Sequence, residues 1–114
     1  MSGIERLGNV YFKVSDVNRS AHFYQDELGL DLKFRDDDHW VAFDAGGTTL
    51  ALMPQGDHPE HGAIPAFRVQ DVDAWAQEAK QRGLQVGPVQ EGAHERTVDV
   101  HDPDGNRLVI YSHR

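Results

Sequence analysis

The stretch FKVSDVNRSAHFYQDELGL, which runs from Phe12 to Leu30, is followed later in the chain by a similar stretch, FRVQDVDAWAQEAKQRGL, which begins at Phe67. Phe67 follows Phe12 by 55 positions, which is close to half of the 114-residue chain. The identical pairs at this spacing are Phe12/Phe67, Val14/Val69, Asp16/Asp71, Val17/Val72 and Ala21/Ala76. The segments that come next also match, at Asp44/Asp102, Gly47/Gly105 and Leu50/Leu108. Two matches in the same order indicate a duplicated structural unit.

Each copy has the pattern of a strand followed by a capped helix. An alternating apolar segment predicts the strand, and Asp16 or Asp71 then stands where a helix N-cap is expected. Gly29 and Gly83 stand where a left-handed residue commonly ends a helix. The helix residues expected to face the core are Ala21, Tyr24 and Leu28 in the first copy, and Val72, Trp75, Ala76 and Ala79 in the second.

Three strand-like segments follow each predicted helix. They cover residues 31–35, 40–43 and 48–53 in the first copy, and residues 84–86, 97–101 and 107–112 in the second. The sequence therefore predicts an α+β fold built from two βαβββ modules. We expect one domain over residues 1–114, with module one at about 5–54, a polar linker at 54–63 and module two at about 64–112.

Composition narrows the classes of function. The net charge of −8 disfavours nucleic acid and anionic membranes as partners, because both repel an acidic protein. No apolar segment is long enough to predict a membrane span. The absence of cysteine rules out disulfides and thiolate chemistry, and this is consistent with the cytoplasm. We therefore expect a cytoplasmic protein with no nucleic-acid or membrane partner.

The segment HDPDGNRLVIY, from His101 to Tyr111, has the acidic residues and glycine of a cation-binding loop or of a tight turn. A helix-loop-helix calcium loop needs glycine at its sixth position and glutamate at its twelfth. Counted from Asp102, glycine is fourth and the twelfth residue is His113. Pro103 and Gly105 suit a turn between strands, so we interpret the segment as a hairpin turn.

Side chains alternate across each predicted strand, so each strand has a helix-facing set and an opposite set. The opposite set mixes aromatic, aliphatic and polar groups, which suits a ligand-binding concavity or a protein–protein surface better than a solvent face. An ordinary half-wetted sheet face is the alternative. We expect Trp40 to face the helix. The expected ligand-binding residues are Asn9, Tyr11, Phe43, Met53, Arg68, Asp99, His101 and Tyr111.

Three segments together resemble the vicinal oxygen chelate superfamily, the glyoxalase/bleomycin resistance/dioxygenase group. They are NVYFKVSDVNRSAHFYQDELGL from Asn9, FRVQDVDAWAQEAKQRG from Phe67 and RTVDVHDPDGNRLVIY from Arg96. The resemblance spans nearly the whole chain. It implies paired βαβββ modules that form a curved mixed sheet around a cavity, usually in a homodimer.

The resemblance also implies four metal-ligand positions, which metal-using members fill with His, Gln or Glu. They correspond here to Asn9, Ala51, Ile64 and Val109, and the repeat relates Asn9 to Ile64 and Ala51 to Val109. Alanine, isoleucine and valine have no donor atom, and a single asparagine amide is a poor ligand for a divalent transition metal. We therefore expect neither a metal site nor another cofactor.

Three functions remain open. The first is metal-independent binding of a small organic molecule, similar to the family's drug-sequestering resistance proteins and without catalysis. The second is a metal-dependent lyase, isomerase or dioxygenase, which the four positions disfavour. The third is a metal-free enzyme in which Asp99 and His101 transfer a proton, although this pair could instead bond for structural reasons. We favour the first.

Overall fold

A computed structural model of the chain describes residues 3–114. Its elements are β1 (Arg6–Val14), α1 (Val17–His22), a π-helical segment (Phe23–Glu27), β2 (Asp31–Asp36), β3 (Trp40–Asp44), β4 (Thr49–Pro54), β5 (Ile64–Arg68), α2 (Val72–Gln81), β6 (Gln90–Glu91), β7 (Glu95–His101) and β8 (Arg107–His113). The order confirms the predicted α+β fold of two βαβββ modules. Contacts divide the chain into one unit of residues 9–63 and another of residues 3–8 with 64–114. In the described part of the chain, no helix has the length and apolar character needed to cross a membrane.

The unit of residues 9–63 has the strand order β2-β3-β4-β1, in which only the β1/β4 pair is parallel. Its core lies between these strands and α1, which begins at the N-cap Asp16. The core residues are Val17, Ala21, Val41, Phe43 and Leu52. Val41, Phe43 and Leu52 have no exposed surface. Burial of one such side chain contributes about 1.5–3 kcal/mol, so this cluster determines which strand face meets the helix.

The unit of residues 3–8 and 64–114 has the strand order β5-β8-β7-β6, with β5 and β8 parallel. The Asp71 carboxylate caps α2 by accepting from the backbone N–H groups of Asp73 and Ala74, at 3.0 and 3.2 Å. The backbone N–H of Val72 donates to the hydroxyl of Ser112 at 3.1 Å, which joins the start of α2 to β8. The four predicted core positions of this helix, Val72, Trp75, Ala76 and Ala79, are all buried.

Leu28 was predicted to face the core and is instead 57% exposed, so that prediction is wrong. The cause is the π-helical segment, where the backbone N–H of Leu28 donates to the carbonyl of Phe23 at 2.8 Å. This bond spans five residues instead of four and therefore rotates Leu28 away from the apolar stripe. Leu30 packs against the core in its place, after Gly29 has turned the chain with a φ of 83°.

The predicted strand at 84–86 is also wrong. Within the described residues, Val86 forms only an isolated bridge, to Val100. The strand that pairs with β7 on the side away from β8 is the two-residue β6. Pro88 stands between them and has no N–H to donate to a ladder, so the pairing is interrupted there.

The segment after β7 is a tight turn, as interpreted from the sequence. The Asp102 carboxylate accepts from the backbone N–H groups of Asp104 and Asn106, at 3.0 and 2.8 Å, and from the Asn106 side-chain amide at 2.9 Å. Gly105 has a φ of 86°. The side-chain hydrogen bond from Asn106 lowers the pKa of Asp102, and the backbone N–H groups of Asn106, Asp104 and Gly105 lower it further, whereas desolvation opposes them. The carboxylate is therefore occupied within the turn.

Gly8 lies directly against the ring of Tyr111, which is only 6% exposed. A Cβ atom at Gly8 would fall 1.8 Å from the Tyr111 hydroxyl oxygen and 2.7 Å from the ring carbon that carries it. Just before this contact, the backbone N–H of Glu5 donates to the carbonyl of Arg68 at 2.8 Å. Glycine is required at position 8 because of this close approach, since nothing in its φ demands it.

We expect Gly8→Ala to lower the free energy of unfolding by about 1–3 kcal/mol, because the new methyl group must displace the Tyr111 ring. The matched control is Gly87→Ala, where the nearest atom outside its chain neighbours, the Asp99 carbonyl oxygen, lies at 3.7 Å. That variant should shift the value by no more than about 1 kcal/mol. Urea denaturation measures both. Tyr111→Phe should recover part of the Gly8→Ala loss, and equal losses in the two glycine variants would contradict the argument.

We expect the stability contributed by Asp102 to depend on pH. Its folded pKa is lowered, so its contribution is fully present above the unfolded value of about 3.9 and is lost as the pH falls through the folded value. Asp102→Asn should therefore be less stable than the parent at neutral pH, and the gap should close below pH ~4. Urea denaturation over a pH series measures it, with Asp104→Asn as the charge-matched control. A gap that is constant with pH would contradict the prediction.

Candidate functional site

In the unit of residues 9–63, the strand face opposite α1 carries the candidate site. Phe12 and Leu52 pack under the helix, so Tyr11 and Ala51, which pair across β1 and β4, point the other way. Ala51 also pairs with Ala42 of β3, which pairs with Phe34 of β2. We call this surface the ligand face. Its members include Asn9, Tyr11, Lys33, Phe34, Trp40, Ala42, Thr49, Ala51 and Met53.

A polar row crosses the ligand face. The ammonium group of Lys33 donates to the hydroxyl of Thr49 at 3.0 Å. The β2/β3 register is irregular between Leu32 and Phe34, and as a result both Lys33 and Phe34 lie on the ligand face. Lys33 was not among the residues predicted for the site. Strict alternation places Lys33 on the other face of β2 from Leu32 and Phe34. The bulge, which instead brings Phe34 onto the face of Lys33, leaves no signal in the sequence.

Asn9 extends this row. It precedes Val10, which pairs with Leu50, so Asn9 lies beside Thr49 across the β1/β4 ladder. Among the described residues, two buried side-chain polar atoms have no hydrogen-bond partner, the Oδ1 of Asn9 and the Oγ1 of Thr48. A buried acceptor without a donor costs about 1–3 kcal/mol, so the amide oxygen of Asn9 is an uncompensated acceptor on the ligand face.

The assignment of Phe43 and Trp40 to faces is corrected by the structure. Phe43 is fully buried beneath α1, where its ring lies 6.1 Å from that of Tyr24, so it does not line the ligand face. Trp40, which was expected under the helix, lies on the ligand face, and its ring centroid is 5.5 Å from that of Tyr11.

The sequence of β3 itself indicates which of its residues face the helix. Val41 and Phe43 are the alternating large apolar residues that fill the core, and the small Ala42 between them marks the other face. Trp40 then follows Ala42 onto that face. The small residue at position 42 therefore indicates which face of β3 is away from the core, whereas aromatic character alone does not distinguish Trp40 from Phe43.

The unit of residues 3–8 and 64–114 holds four of the predicted site residues. Asp99 pairs with Val109 across β7 and β8, and its carboxylate accepts from the Arg107 guanidinium at 3.1 Å. In the described part of the chain, no hydrogen bond joins Asp99 to His101, so the imidazole is not oriented as the proton-transfer hypothesis requires. His101 is exposed beside Arg107 in the ladder.

Arg68 and Tyr111, also predicted, pair across β5 and β8. The Arg68 guanidinium lies 3.4 Å from the Glu5 carboxylate. Desolvation raises the pKa of Tyr111, and the charges of Glu95 and Glu5 add to the rise, whereas Arg6 and Arg68 oppose it. The phenol is therefore a neutral, tightly packed group at physiological pH.

The predicted site residues thus fall into two groups. Asn9, Tyr11 and Met53 share β1 and β4 of one unit, and Arg68, Asp99, His101 and Tyr111 lie on β5, β7 and β8 of the other. The structure adds Lys33, Thr49 and Trp40 to the first group.

The four positions that correspond to metal ligands do not fit a divalent transition metal. Ala51, Ile64 and Val109 are apolar and 0%, 2% and 6% exposed, and Asn9 offers a single amide oxygen. Within residues 3–114, no group of three or more His, Cys, Asp or Glu residues is placed to hold an ion. The chemistry of this donor set therefore supports no step that depends on a metal.

Comparisons with known proteins agree with this fold. The sequence profile of the Glyoxalase/Bleomycin resistance protein/Dioxygenase superfamily matches residues 6–110. A protein of Mycolicibacterium smegmatis is 42% identical over 106 residues, which are 90% of each chain. The metallothiol transferase FosB of Staphylococcus saprophyticus is 24% identical, with 96% of this chain and 78% of that protein covered.

Solved structures are similar in fold. Methylmalonyl-CoA epimerase from Mycobacterium tuberculosis superposes with a TM-score of 0.76 at 21% identity, covering 98% of this chain and 90% of its own. A structure described as NAD-dependent benzaldehyde dehydrogenase from Legionella pneumophila gives 0.78 at 23% identity, covering 93% and 98%. The profile match, the close relative and the two βαβββ modules together establish that the chain belongs to the glyoxalase/bleomycin resistance protein/dioxygenase superfamily.

Proposed function

We propose that this protein binds a small organic molecule on its ligand face, without a metal. One observation carries the proposal: Lys33, Thr49 and Asn9 form a polar row on a face that otherwise presents aromatic and aliphatic groups. A few placed polar groups among apolar ones are typical of small-molecule sites. The four donor-poor positions described above support binding over metal chemistry.

The ligand's chemical class follows from the groups that it would meet. Lys33 carries a positive charge and donates, so it favours a carboxylate or a carbonyl oxygen. The Oδ1 of Asn9 accepts and therefore favours an N–H or O–H group on the same molecule. Phe34 is 51% exposed beside Lys33 and offers a ring surface for an apolar body. An aromatic or aliphatic compound with both groups would satisfy all three.

Catalysis has less support than binding. The similar metallothiol transferase and epimerase are enzymes by name, but the metal chemistry that the family resemblance implies needs donors that Ala51, Ile64 and Val109 lack. The metal-free alternative needs Asp99 to orient His101, and Asp99 is instead ion-paired with Arg107 at 3.1 Å. We therefore propose sequestration of a drug-like or antibiotic-like molecule, in the cytoplasm, as the protein's role. The boundaries of the single domain, the linker and the two modules stay predictions.

Loss of the Lys33 charge should weaken binding. A thermal-shift screen against aromatic carboxylates, small carbonyl compounds and aromatic antibiotics identifies ligands, because binding to the native state alone raises its apparent stability. For such a ligand, Lys33→Met should raise the Kd by about tenfold or more, since a charge-assisted hydrogen bond is lost. Isothermal titration calorimetry measures it, and Asn9→Leu should act in the same direction.

Lys80→Met is the matched control for this charge removal, because Lys80 is exposed in the last turn of α2 and does not belong to the ligand face. It should leave the Kd unchanged. Zn²⁺, Mn²⁺ and Ni²⁺ should neither raise the melting temperature nor be needed for binding. A ligand whose affinity requires a metal, or equal effects of the two lysine variants, would refute the proposal.

We also propose that the protein is a homodimer. The family resemblance implies a dimer, and the exposed side chains of Leu28 and Leu32, at 57% and 43%, are the candidate contact, because an exposed apolar patch commonly marks a protein–protein interface. Sedimentation equilibrium should return twice the 12.8 kDa chain mass. The double variant Leu28→Ser, Leu32→Ser should shift the mass towards the monomer, whereas Leu84→Ser, an equally exposed leucine in the other unit, should not. A monomer mass for the parent protein would reject the dimer.

A further inference from the structure

A cavity lies on the helix side of the unit of residues 9–63. It has a volume of about 490 Å³ and lies among the end of β1, the start of α1 and the linker at Glu60–Gly62. Small-molecule pockets range from about 300 to 1,000 Å³, so the volume suits a compact organic compound. The lining residues that matter below are Lys13, Asp16, Arg19, Phe23, Tyr24 and Glu60.

One wall of this cavity is aromatic. The rings of Phe23 and Tyr24 meet edge to face, with centroids 5.1 Å apart and planes at 85°. Tyr24 packs on the core, but Phe23 is 45% exposed. Packing in the core therefore does not account for an aromatic ring at position 23. Phe23 is also the first residue of the π-helical segment, and such segments occur frequently at functional sites. The local helix irregularity thus turns an exposed ring towards the cavity.

Some charged side chains around this cavity already have partners within the protein, and one does not. The Asp16 carboxylate accepts from the backbone N–H of Arg19 at 3.1 Å, as the cap of α1. Lys13 lies 3.7 Å from the Glu60 carboxylate and donates to the His58 carbonyl at 3.1 Å, which ties the linker to β1. Within residues 3–114, the guanidinium of Arg19 has neither a hydrogen-bond partner nor an ion-pair partner. Its planar fork of five N–H donors is suited to a carboxylate.

We propose that this cavity is a second binding site, which takes a planar aromatic carboxylate. The aromatic ring of the ligand lies against Phe23, and its carboxylate accepts two hydrogen bonds from Arg19. Stacking on an aromatic side chain and a bidentate guanidinium–carboxylate pair are each favourable, and together they fix the orientation of a planar acid. Neither Phe23 nor Arg19, the two side chains that would hold the ligand, belongs to the ligand face, so the site goes beyond the function proposed above.

Titration of the protein with 1-naphthoate, monitored by isothermal titration calorimetry, tests this site. Arg19→Met should raise the Kd for 1-naphthoate by about tenfold or more. Arg82→Met, at the exposed C-cap of α2, removes the same charge elsewhere and should leave the Kd unchanged. Phe23→Ala should also weaken binding, whereas Leu84→Ala, which trims an exposed residue outside the lining, should not.

The uncharged 1-naphthalenemethanol separates the two parts of the proposal. It should bind the parent protein more weakly than 1-naphthoate, and Arg19→Met should abolish that preference. Arg19→Lys should give an intermediate Kd, because it keeps the charge but loses the fork. Because the ligand face is also proposed to take a carboxylate, the effect of Arg19→Met is measured again in a Lys33→Met background, where the 1-naphthoate binding that remains should still be weakened by Arg19→Met. Absence of 1-naphthoate binding, insensitivity to Arg19→Met, or loss of binding through Lys33→Met alone would overturn the proposal.

Discussion

Burial of Val41, Phe43 and Leu52 beneath α1 determines which side of the strands is left for a ligand. Because side chains alternate along a strand, a shift of one residue would exchange the two faces completely. The apolar cluster removes that freedom, since the alternative would expose three large side chains and place Ala42 and Ala51 under the helix. The composition of the ligand face, including the position of Lys33, therefore depends on this packing.

The duplicated pattern predicted the architecture because it records backbone requirements that both units share. Asp16 and Asp71 cap helices, and Gly29 and Gly83 take left-handed backbone angles, so the same residues solve the same problem twice. The errors arose where a unit departs from regular periodicity by one residue. The π-helical segment displaced Leu28, the β2 bulge brought Lys33 and Phe34 to one face, and Pro88 interrupted the strand expected before β7. Counting by a fixed period cannot register such single-residue changes.

The candidate site was harder to predict than the fold, because the duplication does not extend to its chemistry. Asn9 corresponds to Ile64, so only the first copy carries a polar group at that position. Thr49 and Arg107 correspond in the same way, and their partners differ, since Thr49 accepts from Lys33 while Arg107 donates to Asp99. The motifs that identify the family therefore specify the strands, whereas the residues between those motifs specify what each face can bind.

The net charge of the chain and the charge of a single group at a site have different effects on a ligand. The net charge of −8 repels anions at long range, yet Lys33 and Arg19 are cations placed beside aromatic side chains. At physiological ionic strength the screening length is about 8 Å, so distant carboxylates act weakly on a ligand that already touches one of these cations. Long-range repulsion then slows association, whereas the adjacent donor decides affinity and orientation. An acidic protein can for this reason hold an organic anion, provided that the cation at the site is not already neutralised by a neighbouring carboxylate.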